Sequence, residues 1–123
     1  LISVHTCTPV FDRVVRPWHV GIMWDRDPRI AVPMMEHLRG VPDICIGDNE
    51  PYSGRHPHDF TVDHHAESAG LPHVGIEVRQ DLVRDESGAR QWATILAGAL
   101  AGVLADGSLY RHLQDAKPDA PRG

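Results

Sequence analysis

Two polar side chains stand in predicted strands that are otherwise apolar, and both residue types can carry chemistry. His5 follows the β-branched run LISV, and Glu77 lies inside the run HVGIEV. Ligands of an open α/β sheet bind in the crevice at the carboxyl ends of its strands, so we expect both side chains to face one cleft. Histidine is the commonest metal ligand, and glutamate is a frequent general acid or base. The pair therefore predicts a metal-binding or catalytic site.

A carboxylate inside an apolar strand needs a physical reason. An isolated buried charge is unfavourable unless it is paired or coordinated. Arg79 follows Glu77 by two residues and therefore lies on the same face of the strand. From the residues alone two explanations stay open, a structural ion pair between Glu77 and Arg79 or a catalytic role for Glu77.

Strands alternate with helices along the chain. Short apolar runs predict four strands, at residues 1–5, 19–24, 43–47 and 73–78. Capping signals and helical spacing predict three helices, at residues 28–40, 61–69 and 87–105. This order predicts an α/β fold, a three-layer sandwich with a mixed, mostly parallel sheet. Because the chain opens directly on an apolar run, we expect it to be truncated at its amino-terminal side.

The connections carry their own signals. Asp27 is the predicted N-cap of the first helix, with Pro28 at its first helical position. Residues 6–17 and 48–59 are predicted loops, and loops as long as the second are often functional. We expect one domain over residues 1–114, followed by a disordered tail over 115–123 that is rich in proline and charge.

Composition excludes several classes of protein. The formal net charge of −5 and a single Lys argue against a nucleic-acid partner, which would need clustered basic residues. No apolar run approaches the roughly 20 residues that span a bilayer, so no membrane partner is expected. The two cysteines, Cys7 and Cys45, form no framework, which is typical of a reducing cytoplasm. The expected partner is a small molecule, and the oligomeric state stays unknown.

Four segments of the chain combine rare residue types in a fixed order. They are LISVHTCTP, RPWHVGIMWDRDPR, GDNEPYSG and GLPHVGIEVRQDL. In order and spacing they closely resemble the carboxy-terminal half of the N-formylglutamate amidohydrolases, and the resemblance extends from about Leu1 to Leu104. That family is similar in fold to zinc carboxypeptidases and aspartoacylases.

The resemblance implies a zinc-dependent amidohydrolase of histidine degradation. His5 matches a zinc ligand at a strand end, and Glu77 matches a glutamate that serves as general base and acid. The first two zinc ligands of the pattern would lie upstream of this chain, so the chain by itself is expected to bind Zn²⁺ weakly and to be inactive. The implied reaction releases formate and glutamate from N-formyl-L-glutamate without a covalent intermediate.

A substrate with two carboxylates requires cationic and amide donors. Arg79 is the first candidate because it flanks Glu77, and Asn49 and Tyr52 belong to a loop that could act as a lid. Turn chemistry around Pro51 is the simpler explanation of Asn49. The complete set of candidate substrate-binding residues is Arg79, Asn49, Tyr52, Ser53, His65, Arg13 and Arg16.

Other functions remain open at this point. The same machinery could serve a deacylase of another N-acyl amino acid, with residues 48–59 deciding the substrate. A non-catalytic α/β module that holds a carboxylate metabolite is the alternative from a different class. The neighbouring Cys7 and His5 also leave a thiol nucleophile as a weaker hypothesis.

Overall fold

The computed structural model describes residues 1–53, 66 and 68–110. The strands in this part of the chain are β1 (Ile2–Cys7), β2 (Val10–Phe11), β3 (Val14–Val15), β4 (Val20–Met23), β5 (Ile46–Asp48) and β6 (Val74–Arg79). Four of them form one sheet in the order β1, β6, β4, β5, while β2 and β3 form a separate hairpin. β1 runs parallel to β6, and β4 runs parallel to β5 but antiparallel to β6. The predicted α/β class with a mixed sheet is confirmed.

Two long helices accompany the sheet, α1 (Ala31–Arg39) and α2 (Glu86–Leu104). The prediction for α2 is confirmed to within a residue at each end. Asp85 caps α2, because its side chain accepts a hydrogen bond of 2.7 Å from the backbone N–H of Gly88. The apolar stripe of α2 buries Trp92, Ala99 and Val103. Single 3₁₀ turns follow β6 at Gln80–Val83 and α2 at Gly107–Tyr110.

The core lies between one face of the sheet and the helices. Alternate residues of β4 and β6 point to this face, and they are fully or almost fully buried against α1 and α2. The sheet contributes Val20, Ile22, Val74, Ile76 and Val78, and the helices contribute Met34, Leu38 and Trp92. The opposite face of the sheet carries His5 and Glu77.

The start of α1 differs from the prediction. Asp27 is not its N-cap; the helix begins at Ala31, and the N-cap residue Ile30 makes no side-chain cap bond. Asp27 is instead buried and forms an ion pair of 2.8 Å with Arg29. Oδ1 of Asp27 also accepts a hydrogen bond of 3.1 Å from the backbone N–H of Arg29, so Asp27 stabilises the turn that precedes the helix.

The predicted loop over residues 6–17 contains the β2–β3 hairpin. Val10 pairs with Val15 and Phe11 with Val14. Asp12 and Arg13 make the turn with positive φ angles of 49° and 64°, which non-glycine residues adopt infrequently. The hairpin returns the chain so that Arg16, at its base, comes back to the site face of the sheet.

Other predictions fall partly outside the described residues. Of the predicted helix over 61–69, only 66, 68 and 69 are described, and these are helical. Gly70 follows with a φ of 69°, as expected for a helix terminator. The predicted tail over 115–123 lies outside the described residues. Within the described part of the chain, we find no helix with the length and apolarity needed to cross a bilayer.

Candidate active site

His5 and Glu77 are direct neighbours across the sheet. They are partners in the parallel register of β1 and β6. Neighbouring strands lie about 4.8 Å apart, and paired residues of parallel strands project to the same face. The prediction that the two side chains share one side of the sheet is therefore confirmed. His5 is exposed, whereas Glu77 is only 5% exposed.

Two glycines continue this row across the sheet. Glu77 pairs with Gly21 of β4, and Gly21 pairs with Gly47 of β5. A Cβ atom on either glycine would overlap the backbone carbonyl of Glu50. The segment 48–53 therefore packs directly on the bare backbone beside Glu77. Sequence reasoning missed these glycines, although a glycine inside a strand is a known sign that another backbone approaches closely.

The carboxylate of Glu77 is buried. Burial raises its pKa above the ordinary value, and the nearby charges of His5 and Arg16 oppose this effect in part. Among the described residues, Oε2 of Glu77 has no hydrogen-bond partner. The alternative ion pair between Glu77 and Arg79 is not formed. Glu77 is thus buried and has an oxygen without a hydrogen-bond partner in the described part of the chain, and both features are typical of a residue in a functional site.

Arg79 is engaged elsewhere. Its Nε donates to Oδ1 of Asp81 at 2.7 Å, and its Nη2 donates to Oδ2 at 3.1 Å. Its Nη1 donates to the backbone carbonyl of Arg16 at 3.2 Å. This two-point pair lowers the pKa of Asp81 below its usual value through the hydrogen bond from Arg79. Arg79 therefore anchors the base of the hairpin in this structure.

Arg16 interacts electrostatically with the carboxylate of Glu77, because its positive charge partly opposes the rise in the pKa of Glu77. Its side chain is buried, with 7% of the residue exposed. Its guanidinium lies over the rings of Phe11 and Tyr52, at 5.2 and 4.9 Å from their centroids. Its Nη2 also donates to the hydroxyl of Tyr52 at 3.2 Å. Sequence reasoning named Arg16 and Tyr52 as candidates but missed Phe11.

The remaining candidates have different positions. Asn49 has a positive φ of 57°, which suits a turn, and its Oδ1 accepts a hydrogen bond of 2.9 Å from the backbone N–H of Trp24, which ties the segment to the end of β4. Ser53 is half-buried near the end of the same segment, and Arg13 is exposed in the hairpin turn. His65 lies outside the described residues.

Cys7 follows His5 by two residues and lies on the same face of β1. Burial raises the pKa of the thiol, and the charge of Glu77 raises it further. A thiol nucleophile needs the thiolate form, which a raised pKa disfavours. The geometry therefore favours a packing role for Cys7 over the nucleophile hypothesis.

The described residues provide few side chains that could bind a metal ion together. Among the residues that the structure describes, no group of three histidine, cysteine or acidic side chains could hold a metal ion. His5 is exposed on the site face beside the unsatisfied Glu77, and its imidazole fits a role as one ligand. A catalytic zinc site uses about three protein ligands. The others would come from outside the described residues.

An α/β fold with a histidine and a buried glutamate paired across parallel strands presents two residue types that metal-assisted hydrolysis uses. The family model described as N-formylglutamate amidohydrolase matches residues 1–84, and the chain belongs to this family. The resemblance in the sequence is thereby confirmed.

A solved structure supports the fold of the chain. The crystal structure of gene product Atu2144 from Agrobacterium tumefaciens is similar to this chain, with a TM-score of 0.74 and 30% sequence identity. The match covers 85% of this chain and 42% of that one, so the chain spans less than half the length of this relative. A search of the curated proteins finds no match.

Proposed function

We propose that the complete natural polypeptide that carries this sequence hydrolyses the formyl amide of N-formyl-L-glutamate in a zinc-dependent reaction of histidine degradation. The pairing of His5 with Glu77 on the open face of the sheet is the single observation that supports it most strongly. Family membership supports the amide-cleaving class. The free thiols of Cys7 and Cys45 suit the cytoplasm, where this reaction would take place.

Glu77 would act as the general base and then as the general acid. Its raised pKa brings it closer to neutrality, and such a carboxylate accepts a proton from water more readily than an exposed one. Water attacks the formyl carbon while its proton passes to Glu77. The same proton then passes to the leaving nitrogen as the carbon–nitrogen bond breaks. The products are formate and glutamate, and no bond to the protein is formed.

His5 would supply one nitrogen to the metal. Zinc, when bound, lowers the pKa of a coordinated water to about 7 and polarises the carbonyl that is attacked. His5 lies within β1 and opposite Glu77 of β6. The parallel pairing of these two strands, which continues to the buried Cys7, therefore holds the backbone of His5 in place. This rigid support suits a residue that must keep a ligand in position.

A non-catalytic carboxylate-binding module is the second candidate. It is favoured by one observation, namely that the described residues hold no three-ligand cluster for a metal. Such a module would bind glutamate derivatives without releasing formate. A deacylase of another N-acyl amino acid would release a different acid from the same site.

Formate release separates these candidates. The complete polypeptide is incubated with N-formyl-L-glutamate, N-acetyl-L-glutamate and N-formyl-L-leucine, before and after removal of metal by a chelator. We expect formate from the first substrate, its loss with the chelator and its recovery with Zn²⁺. Hydrolysis of the acetyl compound alone would favour the other deacylase, and binding without turnover would favour the module.

A further inference from the structure

The guanidinium of Arg16 is a buried cation without a carboxylate partner among the described residues. The ion pairs in this part of the chain join other side chains, and Arg79 and Arg29 each take an aspartate of their own. A buried charge that has no counter-charge is unfavourable by several kcal/mol. Arg16 is nevertheless held in place by neutral acceptors, the carbonyl oxygen of Thr8 at 3.2 Å and the hydroxyl of Tyr52 at 3.2 Å.

Two aromatic rings fix the plane of this guanidinium. Phe11 of the hairpin and Tyr52 of the segment 48–53 both lie within reach of a cation–π interaction. The hairpin itself is held by the backbone N–H of Arg16, which donates to the carbonyl of Pro9 at 2.9 Å. The carbonyl of Arg16 in turn accepts from Arg79. Arg16 is thus preorganised from both its backbone and its side chain.

The position of Arg16 relates it to the reacting end of the site. Its Nη2 donates to the hydroxyl of Tyr52, and the segment 48–53 that carries Tyr52 packs on Gly21, the partner of Glu77 in the sheet. Glu77 and Arg16 nevertheless form no ion pair with each other, and Oε2 of Glu77 lacks a hydrogen-bond partner among the described residues. The two buried groups of opposite charge are therefore not paired with each other, and each can pair with a complementary group of a ligand.

We propose that Arg16, clamped by Phe11 and Tyr52, is the residue that binds a carboxylate of the substrate and so determines its specificity for anionic acyl amino acids. A planar guanidinium can form two parallel hydrogen bonds to a carboxylate, which an ammonium cannot. This inference rests on the proposed function only for the identity of the scissile bond. The carboxylate contact itself can be measured without turnover.

Two measurements on the complete natural polypeptide test the inference. The first is the Kd of glutarate, a dicarboxylate without a scissile amide, by calorimetry at fixed ionic strength. The second is the KM of N-formyl-L-glutamate compared with its two monoamides, each of which lacks one carboxylate. The variants are Arg16→Met and Arg16→Lys, with Arg39→Met as a control because Arg39 is exposed at the end of α1 on the helix side of the sheet.

We expect Arg16→Met to raise the Kd of glutarate and the KM of N-formyl-L-glutamate at least about 10-fold, as for loss of one charge-assisted contact. The preference over one monoamide should shrink by a similar factor, because that monoamide lacks the carboxylate in question. Arg16→Lys should be intermediate, and Arg39→Met should match the wild type. Arg16→Lys keeps a positive charge, so it also reports if Arg16→Met does not fold.

Unchanged discrimination in both Arg16 variants, or glutarate binding that is independent of Arg16, would overturn the inference. A lower kcat and melting temperature with the same substrate preference would assign Arg16 a purely structural role. Glutarate binding that depends on Arg16 without any formate release would leave this inference standing and remove the proposed function. The two hypotheses can therefore fail separately.

Discussion

At the scale of single residues, three charged groups of the site have three different environments. Glu77 is buried and has an oxygen without a partner among the described residues. Arg16 is buried between aromatic rings. Arg79 is fully engaged with Asp81 and a backbone carbonyl. The first two groups are therefore suited to meet a ligand, and the third is suited to hold the backbone.

The pair of Arg79 and Asp81 should contribute stability that depends on pH. The hydrogen bond from Arg79 lowers the pKa of Asp81 below its ordinary value. Between the two pKa values the unfolded chain binds a proton that the folded chain does not, so stability rises with pH. Asp81→Asn should lower the free energy of unfolding by about 1 kcal/mol at pH 7. This difference should vanish as pH falls through the lowered pKa.

Urea unfolding at pH 7 and at stepwise lower pH measures this effect. Glu86→Gln is the control, because Glu86 pairs with Arg90 on the exposed surface of α2. That exposed pair should contribute only about 0.3–0.5 kcal/mol. Equal effects of the two substitutions at pH 7, or an Asp81→Asn effect that does not change with pH, would contradict the assignment of Arg79 as a backbone anchor.

At the scale of the elements, strands β4 and β5 each place a glycine, which has no side chain, on the site face of the sheet. Gly21 and Gly47 leave the site face bare, and the carbonyl of Glu50 occupies the space where side chains would be. The segment that carries Tyr52 can approach Glu77 only because of this gap. Glycine is thus part of the site although it has no chemistry of its own.

Gly21→Ala should displace the segment 48–53 and weaken the site. The added Cβ meets backbone atoms that cannot move separately from the segment, so we expect a loss of about 1–3 kcal/mol in stability. Gly102→Ala is the matched control, because nothing lies within 4 Å of its Cβ position in α2. It should stabilise the protein by about 0.5–1 kcal/mol. Thermal unfolding of both variants gives the comparison, and equal effects would contradict the close approach.

Comparison of the predicted with the observed elements shows which parts of the fold the sequence predicts. Apolar runs were sufficient to predict the four strands of the sheet and the long helix α2, although β5 begins at Ile46, three residues later than predicted. The hairpin was missed because β2 and β3 have two residues each, too few for periodicity. Both turn residues have positive φ, as favoured hairpin turns require, but Asp12-Arg13 is not a usual sequence for such a turn. Asp27 is a residue type that often caps helices, but it binds both the side chain and the backbone N–H of Arg29 in the turn before α1.

The candidate site was predicted only in part, for a related reason. The position of His5 and Glu77 on one face followed from their strands. The partner of Arg79 could not be predicted in the same way. Whether Arg79 pairs with Glu77 or with Asp81 depends on how the chain turns after β6. Long-range contacts such as Arg16 with Tyr52 depend on register and loop packing, which no local pattern encodes.

At the scale of the whole molecule, the described residues supply only part of the ligand set that the proposed zinc site needs. The chain spans 42% of the length of its solved relative, and the described part holds no three-ligand metal cluster. His5→Ala in the complete natural polypeptide should abolish stoichiometric zinc binding, since one of about three ligands is removed. His37→Ala is the control, because His37 is exposed on α1. Metal analysis after dialysis distinguishes the two, and full zinc content in His5→Ala would exclude His5 as a ligand.

The central claim is that Glu77 transfers the proton during hydrolysis of the formyl amide. The most direct test is the rate of formate release from N-formyl-L-glutamate by Glu77→Gln in the complete natural polypeptide, with zinc content measured on the same sample. Glutamine preserves the shape of the side chain but cannot accept the proton. We predict unchanged zinc content and a rate at least about 100-fold lower. A rate within a few-fold of the wild type would contradict the account and move the base elsewhere, with His65 as the next candidate.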